Sequence, residues 1–228
     1  MFQGFPQETL AFFLDLRFHN DKAFMDANRD RYVSQVREPF YRFIEAIGES
    51  MLRIDPAFEV RPYKCLSRIN RDVRFSRDKS PYRDHLWVAF RRAGQEKEGQ
   101  PFYWMELGPE HVDWGVGMWG ENRPAMDALR RRMTARPEEY LNLLPCLNRA
   151  GFGLGGPSWK RLDVPPEIPP ELVPLYMKKE PYFSKARTLL KWVYAPSFAT
   201  RVAKDFTTVA PVYRMLRGVA EDEPPPAK

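Results

Sequence analysis

The chain predicts an α+β fold, with a central antiparallel sheet over about residues 57–119 packed by N-terminal and C-terminal helices. Apolar residues recur at helical spacing as far as Ile54, change to a period of two in several runs between Pro56 and Trp119, and return to helical spacing beyond Gly120. Proline supports these boundaries, since Ile54-Asp55-Pro56 stops the first helical run and Pro124 opens the later one. With 228 residues, 43% of them hydrophobic, the chain can fill the core of a single domain over residues 1–218. The acidic, proline-rich stretch at 219–228 is expected to be a disordered tail.

Taken in order, Leu10, Phe13 and Leu14, widened by Phe12 and Leu16, give a helix from Gln7 to Phe18 after Pro6. Asn20 is placed to cap a second helix carrying Phe24, Ala27 and Tyr32. Pro39 restarts a third, whose stripe is Val36, Phe40, Phe43, Ile44, Ile47 and Met51. Strands are expected at Phe58–Val60, at His85–Arg92, at Phe102–Leu107 and at Val112–Trp119, the last two joined by a turn at Gly108–His111. Trp104, Trp114 and Phe90 are assigned to buried faces. In the last strand Gly115 and Gly117 share a face, leaving room for another backbone, a helix or a ligand. Helices follow at Pro124 to Met133 and from Pro137 through Leu144. Gly151–Pro157 reads as a flexible turn, Trp159–Pro181 as irregular and Leu189–Tyr194 as strand-like. Ser197 opens a C-terminal helix with Phe198, Val202, Phe206, Val209, Tyr213 and Leu216 along one side.

A net charge of +6 favours acidic partners, although arginine supplies much of the charge throughout the chain. No stretch approaches the length of apolar residues that crosses a bilayer and the N-terminus lacks a basic region followed by an apolar run, so residence in the cytoplasm away from membranes is expected. Cys65 and Cys146 stand without a second Cys or His at metal-ligand spacing and are expected to be unpaired thiols.

The densest feature is Arg68 to Arg83, R-I-N-R-D-V-R-F-S-R-D-K-S-P-Y-R, with five arginines and one lysine against Asp72 and Asp78. Guanidinium groups at this density repel one another unless anions neutralise them. Arg68, Arg71, Arg74 and Lys79 are therefore candidate donors to phosphate or carboxylate oxygens, with Tyr82 as a neutral donor beside them. In the purely structural alternative, Asp72 and Asp78 pair with the arginines and Phe75 anchors the loop in the core. Flanking arginines lower the pKa of Asp72 and weaken it as a general base.

Other chemistry is sparse. His19, His85 and His111 lie far apart with no HExxH wording, and no metal site, cofactor or catalytic residue is readable. Glu106 alternates onto the face of Phe102 and Trp104 and is expected to pair with a motif arginine. Gly151–Pro157 matches neither a phosphate-binding P-loop nor the dinucleotide fingerprint.

The pattern R-x-x-R-D-x-R-F-x-x-D-K-x-x-Y, with Gly4-Phe5 before the first helix, N-D-K-A-F-M-D-A-N-R-D-R-Y at Asn20–Tyr32 and Gly115-Val116-Gly117-Met118-Trp119, resembles a bacterial and fungal family, domain of unknown function 2461. The resemblance runs through about residue 215 and implies length, architecture and a soluble location. It brings no activity or catalytic residue with it.

Two function classes follow. One is recognition of a small phosphorylated or carboxylated ligand in a pocket, with or without chemistry. The other is nucleic-acid binding, with the motif and Arg130–Arg132 on the backbone and aromatic rings on the bases. The local concentration of the motif favours the pocket, and an interaction scaffold is the third reading.

Overall fold

A computed structural model of the chain describes residues 1–95, 98–188 and 191–222. In chain order it places α1 (Gln7–Phe18), α2 (Lys22–Ala27), α3 (Arg29–Tyr32), a π-helical turn (Val33–Arg37), α4 (Glu38–Ile54), α5 (Pro62–Cys65), β1 (Leu86–Phe90), β2 (Gln100–Leu107) and β3 (His111–Trp119). There follow α6 (Arg123–Ala135), α7 (Pro137–Leu141), α8 (Leu144–Ala150), β4 (Gly153–Gly155), α9 (Val173–Tyr176), β5 (Tyr182–Thr188), a 3-10 turn (Lys191–Tyr194), α10 (Ser197–Thr208) and α11 (Ala210–Asp222). The fold is α+β, with a five-stranded antiparallel sheet in the order β1-β2-β3-β5-β4. The chain forms two compact units. The first comprises Met1–Phe90, Trp104–Trp114 and Ala186–Lys204, and the second Arg91–Tyr103, Gly115–Lys185 and Asp205–Lys228.

In the first unit the stripe read for α4 is the buried face, with Phe40, Phe43, Ile44 and Met51 fully enclosed and Val36 of the preceding turn beside them in the core. Aromatic rings knit this core together. Phe5 packs edge-on against Phe40 at 4.8 Å, Phe198 stacks on Phe43 at 5.5 Å, and Trp114 meets Trp192 edge-on at 5.9 Å. Ser67 extends the sheet edge, because its N–H donates to Trp87 O at 2.9 Å while its hydroxyl accepts from Trp87 N.

In the second unit Asn122 caps α6, accepting from Ala125 N at 3.1 Å, and its amide donates to Gly99 O at 2.9 Å. Met126, Leu129 and Met133 form the buried stripe of that helix. Gly117 is the position where β3 needs no side chain. A Cβ there would lie 2.6 Å from Tyr182 Cα and 2.8 Å from Pro181 O, so the space opened by glycine is filled by backbone.

Several local expectations are corrected. Phe58 makes an isolated bridge, and the chain then turns into α5 at Pro62, which has no N–H to give to a strand ladder and suits the first position of a helix. In β2 the enclosed face is Tyr103, Met105 and Leu107, while Trp104 is half-buried, although Trp114 and Phe90 are enclosed as expected. Glu106 shares the face of Trp104 and is half-buried with it, whereas Phe102 at the start of that face is buried.

The glycine-rich segment contains strand β4, with Leu154 opposite Phe183 of β5. The strand expected at Leu189–Tyr194 is a 3-10 turn from Lys191, and residues 189–190 lie outside the described residues. The sheet therefore takes its last two strands from beyond residue 119. The C-terminal helix is broken at Val209, where Pro211 cannot supply an N–H to continue it. α11 extends to Asp222, and residues 223–228 of the expected tail lie outside the described residues.

Candidate functional site

The arginine-rich segment of the first unit is a hairpin. Its arms are held by Arg71 N donating to Pro81 O and Arg83 N donating to Ile69 O, both at 2.8 Å, around an Asn70–Tyr82 bridge. Asn20 locks the returning arm from outside. Its amide donates to Tyr82 O at 2.9 Å and its carbonyl accepts from Tyr82 N at 3.0 Å, as a neighbouring strand would. The helix cap expected of Asn20 is made by Asp21, which accepts from Phe24 N at 2.8 Å.

Between the hairpin and α1 lies a polar cleft of about 660 Å³, whose walls include Arg17, Asn20, Arg71, Tyr82, Arg83, Asp84 and His85. Arg17 Nε donates to Asp84 Oδ2 at 2.6 Å, and Asp84 Oδ1 lies 3.0 Å from His85 Nδ1. Burial pushes the Asp84 carboxyl up, but the hydrogen bonds from His85 and Arg17 outweigh it and hold Asp84 below its ordinary value. Arg17 is raised in turn, chiefly by its bond to Asp84. This Arg17–Asp84–His85 chain holds the imidazole through Nδ1.

Arg83 is the other informative wall. Its Nη1 donates to Arg68 O at 2.9 Å and to Asn70 O at 2.5 Å, and its guanidinium lies 4.8 Å from the Trp87 ring centre. Burial and the neighbouring charge of Arg71 both lower its pKa. Of the aspartates in the cleft, Asp84 serves Arg17, Asp78 serves Arg71 and Asp72 serves Arg74. Among the described residues no carboxylate answers Arg83.

The predicted residues divide accordingly. Arg71 and Tyr82 line the cleft, whereas Arg68, Arg74 and Lys79 do not. Arg74 is bound to Asp72 at 2.6 Å on the exposed loop, and Lys79 Nζ donates to Val73 O at 2.9 Å. Hydrogen bonds from the side chain and backbone of Arg74 lower the Asp72 carboxyl to about 2. Asp78 is lowered further, first by the Ser80 hydroxyl and amide and then by Arg71. Phe75 is no core anchor: it is 95% exposed at the loop tip, because the polar residues flanking it carry the chain away from the core. Glu106 pairs with His111 Nε2 at 3.1 Å rather than with a motif arginine, since the half-buried face of β2 presents it to the start of β3.

The model of a family described as "Conserved hypothetical protein (DUF2461)" matches residues 8–215. The chain belongs to that family. No curated protein matches this DUF2461 chain. Both its cysteines are buried and not joined in a disulfide, and no helix among its described residues is long and apolar enough to cross a membrane. Arg130 of the DUF2461 chain, assigned above to a possible nucleic-acid surface, is 8% exposed and donates from Nε to Tyr176 O and from Nη2 to Lys178 O, so it holds α9 in place.

The sequence reading missed Arg17, Asn20, Arg83, Asp84 and His85. Adjacent Asp84-His85 directly after the motif was the available signal. Arg17 had none, being one basic residue in the last turn of an exposed helix face.

Proposed function

We propose that this protein binds a small ligand carrying a phosphate or carboxylate group, which is received between Arg71 and Arg83 in the hairpin cleft, with His85 beside it as a proton donor or acceptor. The reading rests on Arg83. A partly buried guanidinium next to a second arginine, hydrogen-bonded only through Nη1 and without a carboxylate partner among the described residues, is relieved by an anion that accepts from Nε and Nη2. Asp84 and Arg17 then act as positioning residues for the imidazole. Residence in the cytoplasm is part of the same proposal.

Thermal melting in rising inorganic phosphate and phosphate-bearing metabolites tests it. The wild type should gain stability saturably, by about 2.7 kcal/mol at a hundredfold excess over Kd. Arg83→Met keeps the stem on Trp87 and should lose this response.

A second reading has its own observation. Exposed Phe75 lies 5.8 Å from the Arg74 guanidinium on a loop that also presents Arg68, Arg77 and Lys79 to solvent, a combination suited to stacking and phosphate contacts on a single strand. Oligonucleotide binding that persists through physiological salt and falls in Phe75→Ala would favour it over the cleft.

A further inference from the structure

The second unit carries a separate pair of adjoining cavities of opposite character. One, of about 360 Å³, has walls that include Arg132, Arg136 and Arg214 with a single carboxylate, Glu139. The other, of about 230 Å³, is walled largely by apolar side chains including Leu147, Phe152 and Phe183. Tyr140, Leu143 and Met215 belong to both walls, so the two cavities adjoin across these side chains.

The charges at the basic end are unevenly answered. Arg132 is paired with Asp222 and Arg136 with Glu139, whereas exposed Arg214 has no carboxylate partner among the described residues. Tyr140 stands between the two environments. Burial raises its phenol pKa, Arg132 opposes this, Glu139 adds to it and Arg136 opposes it, so the ring is buried within reach of charges from the basic cavity.

We propose that this double cavity binds a free, medium-chain apolar carboxylate. The head group would be held by Arg214 with Arg132 and Arg136, and the chain would lie past Tyr140 and Met215 against the Leu147–Phe152 side. The occupant follows from complementarity. A purely polar anion leaves the apolar end unfilled, and a neutral hydrocarbon leaves Arg214 unanswered. An acyl carboxylate satisfies both ends, with the charge-assisted hydrogen bonds at the entrance and the chain removed from water.

Calorimetric titration of the full chain with octanoate, butyrate and octanol separates the contributions of head and tail. Octanoate should bind saturably, with butyrate and octanol each at least about tenfold weaker, since each lacks one half of the recognition. Arg214→Ala, at an exposed position, should weaken octanoate about tenfold while leaving octanol unchanged. Leu144→Gln, at the half-exposed mouth of the apolar cavity, should weaken both. Equal affinity for octanoate and octanol would overturn the proposal, as would binding only to phosphatidylglycerol vesicles, which would make the face a lipid-surface contact. Loss of octanoate binding in Arg83→Met with retention in Arg214→Ala would also overturn it, by moving the site to the hairpin cleft.

Discussion

Replacing Asn20 by alanine tests whether the hairpin cleft depends on one side chain outside the motif. The amide of Asn20 makes two hydrogen bonds to the main chain of Tyr82, at 2.9 and 3.0 Å, in a part-buried setting. Each such bond contributes a net 0.5–1.5 kcal/mol, so the substitution should remove about 1–3 kcal/mol. Water can reach part of this site, which argues for about 2 kcal/mol rather than the upper end. For a chain of this length that corresponds to a fall in Tm of roughly 4–8 °C. Asn20→Asp keeps the acceptor for Tyr82 N but sets a carboxylate oxygen against Tyr82 O, so it should recover less than half of the loss. Hydrogen exchange supplies the local readout, because Tyr82 N–H loses its acceptor in the alanine variant while the flanking Arg71–Pro81 and Arg83–Ile69 bonds remain. Phosphate protection should weaken as well, since the arm bearing Arg83 is no longer fixed. Unchanged exchange at Tyr82 together with a Tm within about 1 °C of wild type would refute the reasoning.

Three other outcomes are expected. Asp72→Ala should leave Tm unchanged, because Asp72 and Arg74 are both more than half exposed, 54% and 76%, and a solvent-screened pair contributes little; a clear drop in a melting curve would return Asp72 to a structural role. Gly117→Ala should destabilise by about 1–3 kcal/mol or more, since the new Cβ meets Tyr182 Cα and Pro181 O rather than a movable side-chain end; chemical denaturation measures it, and a neutral result would mean that β3 and β5 separate freely. Asp113→Asn should raise Tm at neutral pH. Burial, then the charge of Glu106, lifts the Asp113 carboxyl above its ordinary 3.8, against opposition from His111 and Trp104. The folded state therefore holds this proton more tightly than the unfolded state, and wild-type stability falls as pH rises from about 3.8 through the raised value and then levels off. The advantage of the asparagine variant should vanish below that window, and a pH-independent difference between the two melting series would contradict the assignment.

The helices were legible because they bury one stripe. Phe40, Phe43, Ile44, Ile47 and Met51 on α4, and Phe198, Val202 and Phe206 on α10, repeat at a spacing that only a helix brings to one side, and all of them are enclosed. Strands were legible where one face is strictly apolar, as in Val112, Trp114, Val116 and Met118 of β3. β5 was not, since Phe183 is its only enclosed large side chain and its place in the sheet comes from main-chain pairing with neighbours such as β4. Main-chain pairing leaves almost no mark on composition. β2 shows a subtler failure: Trp104 and Tyr103 are both bulky aromatics, and the fully enclosed face is Tyr103's, while Trp104 shares the half-buried positions of its face with Glu106.

The site was half legible for a related reason. A count of cations against carboxylates in the motif found the segment but could not say which cations were already answered. Arg74 and Arg71 are satisfied within the loop, by Asp72 and Asp78, at separations of two and seven residues that sequence alone leaves open. Among the described residues Arg68, Arg77 and Lys79 also lack a carboxylate but are exposed to water, whereas Arg83, at the foot of the hairpin, lacks one while partly buried beside Arg71. A cluster of arginines is thus a poor guide to which guanidinium meets a ligand, and the better criterion is partial burial beside a like charge with no carboxylate in reach. By that criterion the proposed ligand would be met at the base of the hairpin rather than at its exposed tip, beside the imidazole that contacts Asp84, itself bound by Arg17.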